Sequence, residues 1–394
     1  MQPSFADLQP APPDSILGLA EQFKLDPRSG KINLASGVYV DETGTTAVLE
    51  VVSDAEWRVL ERQTSKLYKP IAGDPAYTGA VRELVFGSDH EPLAAGRVET
   101  LHTPGGTGAL RVAADLVRRL HPATTVWLSD PTWPNHPQIF EAAGLPTRTY
   151  PYLDATAAGL DLEGMLGALA GAAPGDVVVL HGCCHNPSGV DPAPGQWAAI
   201  AALIAERGLW PLLDFAYQGL GDGLREDAAG LLAVAAGTGN VLVASSLSKN
   251  FSLYNERVGA LSIQAASPAE ASVLLSHAKA VVRSNYSNPP AHGGEIVATI
   301  LLDPVLRARW EAEVSAMRER ITANRHRFVA ALDAAALLRQ RGMFSLLGMT
   351  AEQVARLQRE FAVYVVGRGR VNVAGLTDAN IGPASAAIAA VLAG

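Results

Sequence analysis

Cysteine is nearly absent. The 394-residue chain has only Cys183 and Cys184, and adjacent cysteines rarely close a strain-free disulfide with each other. A disulfide framework is therefore excluded, and a structural zinc site lacks its second cysteine pair although His181 and His185 stand nearby, so no metal is expected. Long apolar runs are missing too. The most apolar stretch, 160–180, is broken by Glu163, Pro174 and Asp176 and cannot cross a membrane as a helix. Charged residues make up 18% of the chain and the net charge is -8, which argues against bulk attraction to nucleic acid and leaves room for a local basic pocket for small anions. The opening MQPSFADLQPAPPD lacks the basic leader and apolar core of a secretory signal, so a cytoplasmic location is expected.

What is present is an ordinary globular composition, 48% hydrophobic, in a chain too long for one simple core. The expected division is an N-terminal arm over 1–14, a small domain formed by 15–45 with 315–394, and a large domain over 46–314. Short apolar runs alternate with longer amphipathic stretches, the pattern of an α/β fold with a mostly parallel sheet flanked by helices. Strands are expected at 125–128, 177–180, 210–213, 241–244 and 258–263. The first four run into polar clusters: SDPTWPNH, HGCCHNPSG, DFAYQG and SSLSKNF. Ligands of open parallel sheets bind beyond the carboxyl ends of the strands, so the four clusters should meet in one crevice. A first helix is expected at 16–23. Trp310, Val314, Met317, Ile321 and Phe328 follow helical spacing in a long helix that bridges the lobes. Beyond it, MFSLLGM, TAEQVARLQREF and VYVVGRGRVNVAG read as strand, helix and strand, with Thr350 and Gln353 as a capping box.

Within the clusters, PGGTGALRVAADL opens a helix on a Gly-rich turn. Free N–H groups of Gly105, Gly106 and Thr107 suit a phosphate there, although such turns are also common structural punctuation. A lysine after a strand is ordinarily a solvated surface residue, because burying an unpaired ammonium is costly. Lys249 differs in its company: Ser246, Ser248 and Arg257 offer hydrogen bonds and positive charge for a phosphate, and a lysine beside them suits Schiff-base chemistry with a carbonyl cofactor. Asp214 either caps the next helix or keeps a pyridine nitrogen protonated. Asn186 sits in a turn, where its amide could instead meet a ring oxygen together with the Tyr217 phenol. Trp133 is a core aromatic or the cover of a planar ring. His136 and His181 are ambiguous, His136 being placed to support a buried carboxylate such as Asp214. Arg370 is either a salt-bridge partner or a fork for a substrate carboxylate.

Seven blocks in order, TPGGTGALRVAADL, PTWPNH, HGCCHNPSG, DFAYQG, SLSKNFSLYNERVGA, YSNPPAHG and GRVNVAG, make the chain resemble the aspartate and aromatic amino-acid aminotransferases of the class I pyridoxal-phosphate family. The resemblance covers nearly the whole chain and implies the aspartate aminotransferase-like fold (fold type I). It implies that Lys249 carries pyridoxal 5'-phosphate as a Schiff base and that pyridoxamine 5'-phosphate forms in the alternate half-reaction. Asp214 would pair with the pyridinium, Tyr217 and Asn186 would contact the ring oxygen, and Trp133 would stack on the ring. Gly105, Gly106, Thr107, Ser246, Ser248 and Arg257 form the implied phosphate cradle, with Tyr68 reaching in from the neighbouring subunit of a homodimer. Arg370 would bind the substrate α-carboxylate and Gly37 would approach it through its backbone. Arg283 of the other subunit would meet a distal carboxylate, with Asn288 on the same edge.

The implied reaction moves the amino group of an L-amino acid, aspartate and/or aromatic, to 2-oxoglutarate by a ping-pong route. Val40 and Leu67 make the surroundings more apolar, as in the aromatic branch, whereas Val38, Thr46, Thr107 and Asn288 are like the aspartate branch. Lys69, Ala72 and Arg368 are further departures from the family pattern. The alternatives are an aromatic-preferring transaminase, aspartate β-decarboxylation by the same cofactor, or a non-enzymatic module. A dinucleotide-binding dehydrogenase lacks its strand context and downstream acid.

Overall fold

The computed structural model describes residues 8–10, 17–154 and 159–394. Apart from residues 8–10, the expected arm over 1–14 lies outside them, as does residue 16 at the start of the first expected helix, which is observed at Leu17–Leu25. Eleven strands occur among the described residues: β1 (Ile32–Asn33), β2 (Val98–Pro104), β3 (Val126–Asp130), β4 (Thr147–Pro151), β5 (Val177–His181), β6 (Trp210–Phe215), β7 (Val241–Ser246), β8 (Val258–Gln264), β9 (Phe344–Leu346), β10 (Val363–Tyr364) and β11 (Arg370–Asn372).

β2 to β8 form one sheet in the order β2-β8-β7-β6-β5-β3-β4. The pairs from β7 across to β4 are parallel, and β8 is antiparallel to both neighbours. β2, β3, β5, β6 and β7 therefore all point their carboxyl ends to one edge. Successive residues of the central strands enter different cores. Val178, Leu213 and Val243 join one apolar cluster, whereas Val177, Leu212 and Leu242 join the other. That two-sided burial is why these strands read as continuous apolar runs.

The strands run further than their apolar residues suggested. β5 includes His181, β6 includes Asp214 and Phe215, and β7 includes Ser245 and Ser246. Backbone pairing continues through His181↔Asp214 and Asp214↔Ala244, because the ladder depends on peptide groups and not on side-chain polarity. Asp214 is thus a strand residue aimed from the sheet, not the cap of a helix.

The long helix spans Pro304–Leu332. Its Trp310, Val314, Met317 and Ile321 pack in the first cluster, and its Phe328 packs in a third and smaller one with Ile32, Leu34, Leu357, Val363, Val371 and Ile388. One helix thereby ties two cores together. The Trp310 ring also stacks on Phe251 at 4.4 Å, and its Nε1 donates to the Asn250 carbonyl at 2.8 Å, bracing the turn that contains Lys249.

VYVVGRGRVNVAG is not one strand. β10 pairs in parallel with β1, and β11 pairs antiparallel with β9, in two separate sheets. Gly367 (φ 56°) and Gly369 (φ 80°) reverse the chain between them. The helix Ala351–Phe361 begins with the expected capping box: Thr350 Oγ1 accepts from the Gln353 N–H at 3.2 Å, and Gln353 Oε1 accepts from the Thr350 N–H at 2.9 Å. Among the described residues no helix is long and apolar enough to cross a membrane.

Candidate active site

Polar side chains from β6, β7 and the segments beyond β2, β3 and β5 converge on a cleft of about 630 Å³. Gly37, Gly106, Thr107, Trp133, Asn186, Asp214, Tyr217, Ser246, Ser248, Lys249, Arg257 and Arg370 all line it. These residues come from widely separated parts of the chain, and the fold gathers them at the shared strand edge.

The anion end is built on main chain. β2 passes directly into the helix Gly105–Leu120, whose first turn has no acidic residue and no side-chain cap. Such an end presents unpaired N–H groups and the positive end of the helix dipole to the cleft. Gly105 holds φ 74°, and a Cβ on it would lie 2.5 Å from an Arg257 guanidinium nitrogen. A Cβ on Gly106 would stand 3.0 Å from that of Ser246. Among the described residues the buried Ser248 hydroxyl has no hydrogen-bond partner, which leaves it available to an anion.

The other end holds a fixed carboxylate. His136 Nε2 lies 3.0 Å from Asp214 Oδ2, while its Nδ1 lies 2.7 Å from the Thr132 hydroxyl. Burial alone would raise the Asp214 pKa. The His136 hydrogen bond and charge, with contributions from His181 and Lys249, outweigh burial and hold it below the usual carboxylate value. His181, buried behind this pair, has neither ring nitrogen hydrogen-bonded and is pushed down to about 3, first by burial and then by His136, against an opposing pull from Asp214. Neither histidine lines the cleft; both back the acid. The proximity of His136, His181 and Asp214 is thus explained by this support.

Lys249 is half-buried, with its Nζ 4.9 Å from the centre of the Tyr217 ring. Burial lowers its pKa to about 8; Asp214 opposes the shift, while Arg257 and Arg370 add to it. The Asn186 amide donates to the Tyr217 hydroxyl at 3.3 Å and accepts from Arg370 Nη1 at 3.1 Å. Arg370 also donates to the Ala35 carbonyl at 2.6 Å and lies over the Phe344 ring at 4.3 Å. Its Nε remains unpartnered, and burial lowers its pKa to about 10. A buried guanidinium with no carboxylate beside it is costly unless an acid is supplied.

Tyr254 and Phe344 also line the cleft and were not singled out from sequence. The Tyr254 hydroxyl accepts from the Tyr39 N–H at 2.9 Å, a contact across 215 positions that nothing local announces. Besides the two histidines, Gly105, Tyr68, Arg283 and Asn288 are expected residues that the cleft lining does not include. Tyr68 is 92% exposed, Arg283 is exposed in the last turn of the helix Pro268–Asn285 beside Ser287, and Asn288 donates to the Lys69 carbonyl. Lys69 itself pairs with Glu295 at 2.7 Å and Asp74 at 3.0 Å.

The unpaired N–H groups at the helix start, the Trp133 ring, the Asp214 carboxylate and the Lys249 amine would suit a phosphate-bearing aromatic aldehyde. Comparison with known proteins agrees. The aminotransferase class I and II family matches residues 29–388. Aspartate aminotransferase of Salmonella typhi is 51% identical over 98% of this chain and 100% of its own. Aromatic-amino-acid aminotransferase of Paracoccus denitrificans is 46% identical over 95% of this chain and 96% of its own. The solved aromatic-amino-acid aminotransferase of Burkholderia pseudomallei, covalently bound to pyridoxal phosphate, superposes with a TM-score of 0.94 at 48% identity, covering 98% of this chain and 99% of that one. The chain belongs to the class I and II aminotransferases and is a pyridoxal-phosphate-dependent transaminase.

Proposed function

We propose that this transaminase works with glutamate/2-oxoglutarate and aspartate/oxaloacetate as its principal substrate pairs, accepts phenylalanine and tyrosine as further donors, and uses Lys249 to move the proton. The observation that carries the role of Lys249 is a half-buried lysine, its pKa lowered to about 8, that feels a charged Asp214 and two arginines in the same cleft. When bound, pyridoxal phosphate supplies a carbonyl that captures the amine and a ring that takes up the electron pair left by the α-proton. Arg370 holds the α-carboxylate, turned by Asn186 and seated on Phe344. Lys249 Nζ, largely neutral just above its pKa, takes the α-proton and returns it. Asp214, held charged by His136, would pair with the cofactor's ring nitrogen and keep it protonated. The N–H groups of 105–107 with Ser246, Ser248 and Arg257 hold the phosphate, and Gly37 borders the substrate through its backbone.

The complete site belongs to a homodimer. Tyr68 and Leu67, at 92% and 82% exposure, and the exposed Trp57 and Leu302 are large apolar side chains that a second copy would cover, and Arg283, away from the cleft lining of its own chain, would reach a distal carboxylate across such an interface. Residues 15–45 with 315–394 form the small domain and 46–314 the large one, a division supported by the separate third core. A cytoplasmic location fits two buried, unpaired cysteines.

A donor panel with 2-oxoglutarate as acceptor tests the assignment. Aspartate should show the highest kcat/KM, and phenylalanine ahead of it would reverse the order. Lys249→Ala should lose the cofactor's Schiff-base absorbance and about 10³-fold or more of turnover. Full activity in that variant would remove Lys249 from its role.

A further inference from the structure

The tip of the turn between β10 and β11 carries Arg368. Its backbone is pinned from both sides: Val366 and Arg370 form an antiparallel bridge, the Met349 N–H donates to the Arg368 carbonyl at 2.9 Å, and the Leu347 N–H donates to that of Gly369 at 3.1 Å. A Cβ on Gly369 would lie 2.7 Å from the Met349 side chain, so the turn is seated against it. The Arg368 side chain is exposed and has no ion-pair partner among the described residues. It borders a small cavity of about 170 Å³ that Pro131, Pro134, Pro187, Leu346 and Arg370 also line. Pro134 and Arg370 also line the main cleft, so the two cavities share these two residues as a common wall. The small cavity contains two arginines and no acid. The main cleft contains Lys249, Arg257 and Arg370 against Asp214 alone. In a chain of net charge -8, this is a local concentration of positive charge running from the rim inward.

We propose that Arg368 is a specificity-determining residue: a rim cation that receives a carboxylate of an incoming dicarboxylic 2-oxo acid or amino acid on the outer side of Arg370, favouring dicarboxylates over aromatic donors. This rests on Arg370 being the α-carboxylate site. The chemistry sets an order. A dicarboxylic oxo acid is doubly negative, aspartate singly negative and zwitterionic phenylalanine neutral, so the benefit of one rim cation falls along that series. An exposed ion pair is worth a modest factor and is screened by salt.

Arg368→Gln in the cofactor-loaded enzyme should raise KM for 2-oxoglutarate about two- to fivefold, raise that for aspartate less, and shift that for phenylalanine least. The difference should shrink as salt is raised. Arg327→Gln, which removes the same charge from an exposed pair with Asp378 away from the cleft, is the control and should not reproduce the pattern. Calorimetry gives a second readout without turnover: Arg368→Gln should weaken binding of succinate by a similar factor and of 3-phenylpropionate less. Equal effects on dicarboxylate and aromatic ligands, no effect on either, or the same pattern from Arg327→Gln would overturn the proposal. If Arg370→Gln leaves the binding of both acids intact, the reading of the inner site fails instead, an outcome distinct from failure at Arg368.

Discussion

Lys249 shows how loss of water and neighbouring charge together prepare a base. Removing water from an ammonium destabilises its charged form, and the two arginines add repulsion that Asp214 only partly offsets. Asp214→Asn keeps the shape and removes the offset, so the Lys249 pKa should fall further below about 8. The pH dependence of Lys249 acylation in the cofactor-free protein measures this directly; an inflection that moves upward would contradict it. The same variant should lose about 10²-fold or more of turnover, since a neutral amide cannot keep a pyridine nitrogen protonated. Lys249, Asp214 and Asn186 were legible in the sequence because each stands in a compact polar block at the end of an apolar run, and Arg370 because the GRVNVAG block resembles that of the family. Tyr254 and Phe344 were not, because their meaning lies in distant partners. Tyr254 acts on Tyr39, and Phe344 matters only once β9 lies beside β11 and places its ring under Arg370.

At the level of elements, the phosphate cradle depends on how closely β8 approaches the start of the helix Gly105–Leu120. A Cβ on Gly259 would stand 2.4 Å from the Gly105 carbonyl carbon and 2.7 Å from its oxygen, and neither is a flexible side-chain end that can swing away. Gly259→Ala should therefore push the Gly-rich turn out of place, destabilise the protein by about 1–3 kcal/mol and weaken pyridoxal-phosphate affinity by about tenfold or more. Equilibrium dialysis of the cofactor and urea unfolding would measure both. Gly195→Ala, in the helix Pro194–Arg207 with nothing within 4 Å of the new Cβ, should be neutral or slightly stabilising. Wild-type cofactor affinity in Gly259→Ala would mean that the cradle tolerates the shift. Five of the seven strands of the sheet were readable from their apolar runs; β2 and β4, interrupted by polar residues such as His102 and Arg148, were not, and neither were strand ends, since His181, Asp214 and Ser246 stay in the ladder while their side chains serve the site. The two-residue strands β1 and β10 are too short for any alternation, and only their packing in the third core defines them.

Across the whole molecule, acid stability is set by imidazoles and carboxyls buried in the unusual protonation state. His102 is held near 4, mainly by burial with Asp74 opposing, His181 near 3, and His185 well below its ordinary value by burial together with His181 and His136. An unfolded chain protonates all three as pH falls below about 6.5, while the native chain refuses the protons, so their stabilising contribution is present above that pH and lost below it. Asp191 and Asp227 act in the opposite sense. Burial lifts both to about 6, although Asp191 accepts from the Cys184 and His185 N–H groups and Asp227 from Gly219, Gly221 and Asp222. Between about 6 and 4 the native chain holds two protons that the unfolded chain releases. Three protons against two leave a net uptake of about one on unfolding, so stability should fall by about 1.4 kcal/mol per pH unit from about 6 toward 4.5 on account of these groups. His102→Gln removes one of the three and should bring that slope close to zero. Urea midpoints taken at half-unit steps of pH, at fixed protein concentration, would decide the matter. A wild-type midpoint that rises on acidification, or a slope that His102→Gln leaves untouched, would show that these buried groups do not govern the response.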